Sequence, residues 1–158
     1  MINRFAVLAA LLALAAPAAA EPAPPPPTVG SVLGPALRST DLDRSIAFYT
    51  NGLGMVLARR IDVPNATELA FTFGTDQRPP VILLFKSKDP AKSQPIDHGD
   101  GYGRTILAVA DADGLAARLK AAGYAPGEVH ANPVNHSRTF WVKDPDGYSY
   151  EISERPRQ

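Results

Sequence analysis

The sequence lacks cysteine entirely and has no excess of charge of either sign. No cysteine occurs among its 158 residues, so disulfide bonds and a lipid-anchored thiol are both excluded. The 16 lysine and arginine residues balance 16 aspartate and glutamate residues. Nucleic acids and anionic membranes favour proteins with a basic face. The sequence therefore indicates no nucleic-acid partner and no membrane partner, and a small-molecule ligand is expected instead.

A long apolar run is also missing, because none reaches the roughly 20 residues that a bilayer-spanning helix needs. The main apolar stretch, residues 5–16, follows Arg4 and precedes the small residues Ala18 to Ala20. This order is typical of an export signal. We predict a signal peptide over residues 1–20, cleaved after Ala20, and a periplasmic or secreted mature protein.

Proline is concentrated directly after the predicted signal peptide. Residues 21–28 read EPAPPPPT, and proline at this density favours an extended polyproline II segment. We predict a linker over residues 21–29, followed by one compact domain over residues 30–158. That length is enough for a single domain with its own core.

The domain contains two similar halves, and each has one predicted helix. Apolar residues recur at helical spacing in both halves: Leu42, Ile46, Tyr49 and Leu53 in the first, and Leu115, Leu119 and Ala122 in the second. Asp41 and Asp111 precede these stripes and can cap the helices. Each helix is expected to end at a glycine, Gly52 or Gly123, which suits the left-handed position after a helix.

Strand patterns surround each helix in the same order. They cover residues 32–38, 55–61, 69–73 and 81–85 in the first half, and 105–110, 127–130, 139–142 and 148–152 in the second. A turn is predicted at residues 144–147. The fold class is therefore α/β (α+β), with two βαβββ modules at about 30–88 and 100–155. Side by side, the modules would curl into a half-open barrel with helices outside and a cavity within.

Two segments resemble a known family. Residues 38–49, reading RSTDLDRSIAFY and followed by Leu53-Gly54-Met55, resemble the opening of a glyoxalase I chain. Residues 140–148, reading FWVKDPDGY and followed by Glu151-Ile152, resemble its close. The family is the vicinal-oxygen-chelate (VOC) superfamily, which includes glyoxalase I, bleomycin-resistance proteins and extradiol dioxygenases. The resemblance implies the half-open barrel, a small-molecule ligand and a homodimer.

The resemblance also implies a divalent metal in the cavity, but most ligands are missing here. The family's ligands are His or Gln on the first strand, Glu on the fourth, His or Glu on the fifth and Glu on the eighth. The matching residues are Gly34, Leu83, Arg104 and Glu151. Residues 29–40 and 79–88 contain no His, Asp, Glu or Gln, so a shifted alignment changes nothing. We predict no metal and no other cofactor.

The remaining polar candidates are ambiguous from sequence alone. The three histidines, His98, His130 and His136, fall in loops or at strand ends, where solvation is the simplest interpretation. Glu151 is either solvent-facing by its period-two pattern or turned towards the cavity, as the resemblance implies. Arg104 either marks a strand end or faces Glu151 across the barrel and pairs with its carboxylate.

Two further groups of residues complete the predicted site. Arg38 matches a position where glyoxalases hold the glutathione carboxylate, although a surface arginine beside the helix is the simpler interpretation. Phe71, Phe73, Phe85 and Trp141 are expected in the core, with the alternative that some of them line the cavity wall if the cavity is open to an apolar ligand. The predicted ligand-binding residues are Arg38, Arg104 and Glu151, and Glu151 is the only candidate for catalysis.

Three functions are compatible with these residues. The first is an exported VOC protein that binds a small molecule without the usual metal. The second is a lactoylglutathione lyase-like metalloenzyme, which needs a Lewis acid that one glutamate cannot hold alone. The third is an extradiol-type dioxygenase, whose iron needs two histidines and one carboxylate on the cavity face. None of the three histidines is predicted on that face. We expect the first.

Overall fold

The computed structural model describes residues 32–75, 78–92 and 94–154. The predicted signal peptide and linker lie outside the described residues. No helix in the described part of the chain is long and apolar enough to cross a membrane.

Both predicted modules are present, with the same order of elements. The first contains β1 (Ala36–Arg38), α1 (Leu42–Ala47), β2 (Val56–Val63), β3 (Ala66–Thr72) and β4 (Ile82–Ser87). The second contains β5 (Thr105–Val109), α2 (Ala112–Ala121), β6 (His130–Ala131), β7 (Arg138–Lys143) and β8 (Ser149–Glu154). One π-helical turn, Phe48–Gly52, continues α1, and a short 3-10 turn, Pro90–Lys92, follows β4.

Each module forms its own four-stranded mixed sheet. Sheet I has the order β1-β4-β3-β2 and sheet II the order β5-β8-β7-β6. In both, the strand before the helix runs parallel to the last strand of the module, and the other neighbours are antiparallel. The α/β class and the βαβββ repeat predicted from sequence are confirmed.

The helices begin where the aspartates predict. Asp41 Oδ1 accepts hydrogen bonds from the backbone N–H groups of Asp43 and Arg44, both at 3.1 Å. Asp111 Oδ1 accepts one from the N–H of Gly114 at 2.8 Å. These bonds satisfy backbone donors that have no partner within the helix.

The helix ends differ between the modules. Gly123 follows α2 with φ +87°, as predicted, but Gly52 does not adopt a left-handed conformation. The first helical segment reaches the left-handed region at Gly54, with φ +74°. Gly52 is instead a packing residue, because a Cβ there would stand 3.0 Å from the ring of Tyr124.

The helix-bearing faces of the two sheets share one core. Tyr49, which follows α1, is fully buried, and its ring centroid lies 4.9 Å from Phe71 on β3 and 6.0 Å from Tyr150 on β8. Burial of each such large side chain stabilises the fold by about 1.5–3 kcal/mol. We expected a half-open barrel with the helices outside and a cavity within. Instead, the helical segments pack into this shared core, and the opposite face of each sheet is left open.

Buried hydrogen bonds also join the modules. The Tyr49 hydroxyl donates to Asp144 Oδ2 at 2.8 Å and lies 2.7 Å from the Tyr150 hydroxyl. Asp144 Oδ1 accepts from the backbone N–H groups of Asp146 and Tyr148 at the predicted turn. Burial raises the pKa of the Asp144 carboxyl and that of the Tyr49 hydroxyl. This network fixes the end of the second module against the first helix.

Candidate functional site

The open face of sheet II carries a row of three side chains around Glu151. Side chains alternate along a strand, and residues paired across strands share a face. Glu151 on β8 pairs in register with Ile106 on β5 and with Trp141 on β7. Glu151 therefore lies between an aliphatic and an aromatic side chain.

This face is exposed, whereas the opposite face of the same strands is buried. Ile106 is 56% exposed and Trp141 is 48% exposed, but Tyr150 and Ile152 on β8 are fully buried. The period-two pattern of β8 thus turns Glu151 away from the core.

The aromatic residues expected in the core divide between the two environments. Phe71 is fully buried, so its core prediction is confirmed. The prediction is wrong for Phe73, Phe85 and Trp141, which are 38%, 37% and 48% exposed. Phe85 and Trp141 lie on sheet faces that the shared core does not cover, and Phe73 lies just beyond the end of β3.

Arg104 lies directly before β5 and contacts both Glu151 and Trp141. Its Nε is 2.6 Å from Glu151 Oε2, and its Cζ is 5.2 Å from the centroid of the Trp141 ring. The predicted pairing of Arg104 with Glu151 is therefore present. It forms between neighbouring strands of one sheet and not across a barrel.

The ion pair is only partly shielded from water. The Arg104 side chain is 44% exposed and that of Glu151 is 19% exposed. A pair of this kind contributes about 0.2–1 kcal/mol, and an exposed cation–π contact about 0.5–1 kcal/mol. The Nη atoms of Arg104 make no hydrogen bond to any residue in the described ranges, so the outer edge of the guanidinium can accept a ligand at small energetic cost.

Gly34, which aligns with the family's first metal ligand, has no room for a side chain. Its φ is +104°, a conformation that favours glycine. A Cβ there would overlap the carbonyl oxygen of Val81. His or Gln at this residue would require the backbone to move.

The second position, Leu83, lies on β4 beside an acidic residue that the sequence did not single out. Leu83 pairs with Ala70 of β3, and Glu68 lies two residues earlier on the same face. Leu83 and Glu68 line a small hollow of about 70 Å³ together with Ala36. The sequence could have revealed Glu68, because it is a charged residue in a mainly apolar strand. It lies two residues before Ala70 and therefore on the same face of β3.

Arg38 is not brought together with Arg104 and Glu151. It ends β1 in sheet I, and its Nη1 donates to the carbonyl oxygens of Lys92 at 2.6 Å and Gln94 at 3.4 Å. Its guanidinium thus holds the loop after β4, while the other two residues lie on sheet II. Its predicted role in ligand binding stays a prediction.

The residues at the four family positions do not fit a divalent cation. Zinc and related metals need several convergent nitrogen, oxygen or sulfur ligands. Only Glu151 offers such an atom, and its carboxylate already faces a guanidinium. The described part of the chain also contains no group of three or more His, Asp or Glu that could hold a metal ion. His98 has a structural contact, because its Nε2 lies 2.9 Å from the carbonyl oxygen of Asp146.

A groove borders Trp141 on the β7 side of this face. It has a volume of about 400 Å³ and is lined by Tyr124, Ala125, Trp141, Val142, Lys143 and Ser149. Its size suits a small organic molecule. Lys143 adds a second cation on the Trp141 face, because it lies two residues further along β7.

Comparison with known proteins gives one consistent family. The family model for the Glyoxalase/Bleomycin resistance protein/Dioxygenase superfamily matches residues 28–152. The chain is 38% identical to lactoylglutathione lyase of Salmonella typhimurium over 129 residues, covering 78% of this chain and 91% of that protein. It is 35% identical to lactoylglutathione lyase of Neisseria meningitidis serogroup A over 130 residues, covering 78% and 90%.

A solved structure supports the same assignment. Glyoxalase I from Zea mays superposes with a TM-score of 0.67 at 28% identity, over 80% of this chain. This chain spans only 45% of that longer maize protein. The fold, the repeat of modules and the sequence similarity agree, and the chain belongs to the Glyoxalase/Bleomycin resistance protein/Dioxygenase superfamily.

Proposed function

We propose that this protein is an exported member of the superfamily that binds a small molecule at the open face of sheet II without a divalent metal. The observation that carries the proposal is the ion pair of 2.6 Å between Arg104 and Glu151. A guanidinium here supplies a fixed positive charge and planar hydrogen-bond donors in the place of a cation. It can therefore hold an anionic or carbonyl oxygen of a ligand.

The residues around the ion pair define what it can do chemically. Arg104 binds and orients an oxygen atom, Trp141 and Ile106 supply apolar walls, and Glu151 neutralises and positions the guanidinium. Glu151 is also the only group of the site that could accept a proton from a bound ligand. Binding requires no further group, and binding is the function that these residues support best.

A lactoylglutathione lyase-like enzyme is the second candidate, because the lactoylglutathione lyase of Salmonella typhimurium is 38% identical to this chain. Such an enzyme needs a Lewis acid to stabilise an anionic intermediate. Gly34, Leu83 and Arg104 argue against one here, so we rank this candidate lower.

We also propose that a second copy of the chain completes the cavity. Of the four positions that align with the family's metal ligands, Gly34 and Leu83 lie on the sheet I side. Arg104 and Glu151 lie on the sheet II side, and the shared core separates the two open faces. One chain therefore cannot wrap both faces around one ligand, whereas sheet I of one copy can cover sheet II of another. The exposed Ile106 and Trp141 would then be buried in the assembly.

The metal content of the purified mature protein tests the main proposal. We expect less than one-tenth of an equivalent of zinc, nickel or iron by elemental analysis. We also expect no lactoylglutathione lyase activity after incubation with those metals. One tightly held equivalent that is lost in Glu151→Ala but kept in Asp43→Ala, an exposed carboxylate in the first turn of α1, would refute the metal-free proposal and favour the enzyme.

Export and assembly need separate measurements. Mass spectrometry of the protein from the periplasmic fraction should show an N-terminus at Glu21. Light scattering should show a dimer that Ile106→Glu dissociates and that Val134→Glu, at a residue 87% exposed in a loop, leaves intact. A monomeric wild-type protein at micromolar concentration would contradict the second-copy proposal.

A further inference from the structure

We infer that Glu68 of a second copy binds the outer edge of Arg104, so that the guanidinium lies between one carboxylate of its own chain and one of the other copy. The inference rests on the proposal that sheet I of one copy covers sheet II of another. It names the residue that the second copy contributes to the site. It follows from the side chains on the two open faces and from the partners that Glu68 and Arg104 lack among the described residues.

The open face of sheet I carries a row of side chains like the row around Glu151 on sheet II. Glu68 on β3 pairs in register with Ile61 on β2 and with Phe85 on β4. Residues paired across strands share a face of the sheet. Glu68 therefore lies between an aliphatic and an aromatic side chain, as Glu151 does.

The apolar members of both rows are exposed in the single chain. Ile61 and Phe85 are 46% and 37% exposed, and Ile106 and Trp141 are 56% and 48% exposed. These four are half of the eight large apolar side chains that are exposed in the described part of the chain. Exposed apolar side chains that are grouped together indicate a contact surface. Packing one row against the other would remove both groups from water, which favours a second copy as the partner.

The Glu68 carboxylate needs a cation when its row is covered. Glu68 is exposed in the single chain, and no hydrogen bond or ion pair joins its side chain to any residue in the described ranges. A carboxylate that leaves water is costly unless a cation or several hydrogen-bond donors replace the water. The surface that covers sheet I should therefore place a cation opposite Glu68.

Arg104 on sheet II offers that cation. Its Nε lies 2.6 Å from Glu151 Oε2, and its Nη atoms make no hydrogen bond to any described residue. A guanidinium has five N–H donors in one plane and can bind carboxylates at more than one edge. The outer edge of Arg104 can thus bind Glu68 of the second copy, and N–H groups remain for an oxygen of a ligand.

The charges of the two open faces are compatible with this pairing. Arg59 shares the open face of sheet I with Glu68, because it pairs in register with Ala70, two residues further along β3. The covered rows therefore bring together the guanidiniums of Arg59 and Arg104 and the carboxylates of Glu68 and Glu151. The remaining ionisable side chains on or beside the two faces are Arg38, which donates to the carbonyl oxygens of Lys92 and Gln94, Lys143 and Glu128, which both lie near Trp141, and His130 at the edge of sheet II.

A double-mutant cycle on the dissociation constant of the dimer tests the pairing. Analytical ultracentrifugation of the mature protein measures this constant. We expect Glu68→Gln and Arg104→Gln each to raise it about tenfold or more, because a twofold dimer contains the contact twice. The double variant should dissociate no more readily than the weaker of the two single variants. Strict additivity of the two effects would contradict a direct contact.

Arg138 and Asp43 provide matched controls. Arg138 also forms an ion pair of 2.6 Å, but with Asp113 of α2, and Asp43 is an exposed carboxylate in the first turn of α1. We expect Arg138→Gln and Asp43→Asn each to leave the dissociation constant within about twofold, as is usual for exposed charges. Circular dichroism of all variants verifies their folding.

An exchange of charges tests whether the two residues come from different copies. Glu68→Lys places a cation opposite Arg104, and Arg104→Glu places a carboxylate opposite Glu68, so each variant alone should be largely monomeric. In an equimolar mixture, the introduced lysine of one copy meets the introduced glutamate of the other, and the original pair forms at the second contact. We expect the mixture to form a heterodimer. Mixing Glu68→Lys with Arg138→Glu should leave the Glu68→Lys variant monomeric.

Each negative outcome has a distinct meaning. A monomeric wild-type protein overturns the second-copy proposal and this pairing with it. A wild-type dimer that Ile106→Glu dissociates, but in which the effects at Glu68 and Arg104 add or the exchanged variants do not associate, overturns the pairing alone. If Arg104→Glu does not fold, the cycle of neutral variants decides. A stoichiometric metal lost in Glu151→Ala would refute the metal-free function, whichever result the dimer gives.

Discussion

Removal of single hydroxyl groups from the network that joins the modules should have unequal and non-additive effects on stability. The Tyr49 hydroxyl donates a hydrogen bond to Asp144 Oδ2 at 2.8 Å. Tyr150, 2.7 Å from Tyr49, must then be the donor to it. The order Tyr150 to Tyr49 to Asp144 makes Tyr49 both donor and acceptor.

The expected magnitudes follow from this order. Tyr150→Phe removes one hydrogen bond and leaves no donor without a partner, so it should cost about 1 kcal/mol. Tyr49→Phe leaves both the Tyr150 hydroxyl and one oxygen of Asp144 buried without a partner, so it should cost about 2–3 kcal/mol. Once Tyr49 is Phe, removal of the Tyr150 hydroxyl should cost almost nothing. The double variant should therefore resemble Tyr49→Phe, with a coupling of about 1 kcal/mol.

Urea denaturation followed by far-ultraviolet circular dichroism measures these differences. With about 2 kcal/mol per molar urea for a small domain, Tyr49→Phe should lower the midpoint by about 1 M. Tyr124→Phe is the control, because its ring packs on Phe48 at 4.9 Å in the same cluster and no hydrogen bond of its hydroxyl is seen among the described residues. The reasoning fails if Tyr49→Phe costs no more than Tyr150→Phe, or if the two effects add.

Three further predictions use the same denaturation assay. Gly34→Ala should destabilise the fold by about 1–3 kcal/mol because it adds a side chain at positive φ, whereas Gly101→Ala, with open space around it, should not; equal effects would contradict the steric argument. Burial raises the pKa of Asp144 above its ordinary 3.8, so the stability it contributes is complete below about pH 4 and is lost as pH rises through the folded value. The unfolding free energy of wild type minus that of Asp144→Asn should fall over this range, and a constant or rising difference would oppose the assignment. Arg104→Leu and Glu151→Leu should couple by about 0.2–1 kcal/mol, and strict additivity would oppose a stabilising ion pair between them.

Local patterns were enough to predict the order of elements. Asp41 and Asp111 cap the helices because a short acidic side chain satisfies backbone donors wherever a helix begins, and this depends on nearby residues only. The alternation along β8 likewise separated buried Tyr150 from Glu151 correctly. Such patterns indicate which face of a helix or strand is apolar. They do not depend on how the modules pack together.

Features that depend on packing between modules could not be predicted in the same way. Gly52 and Gly54 flank Leu53, the last residue of the first helical stripe. Tyr124 and Leu119 pack against Gly52, and the left-handed conformation occurs at Gly54. The exposure of Trp141 was missed because a strand residue with a large apolar side chain looks the same from sequence, whichever face the core covers. Once the shared core is known to lie on the helix-bearing faces, this exposure follows.

Alignment to the family predicted some features of the candidate site and missed others. The positions of Gly34, Leu83, Arg104 and Glu151 were sufficient to predict the loss of ligands and the pairing of charges. The alignment could not show that Gly34 also excludes a ligand sterically, because the overlap of a Cβ with the carbonyl of Val81 depends on how β4 approaches the first strand. A metal site cannot therefore be restored by replacing side chains alone. The backbone before β1 would have to move as well, because any side chain at residue 34 would overlap the carbonyl oxygen of Val81.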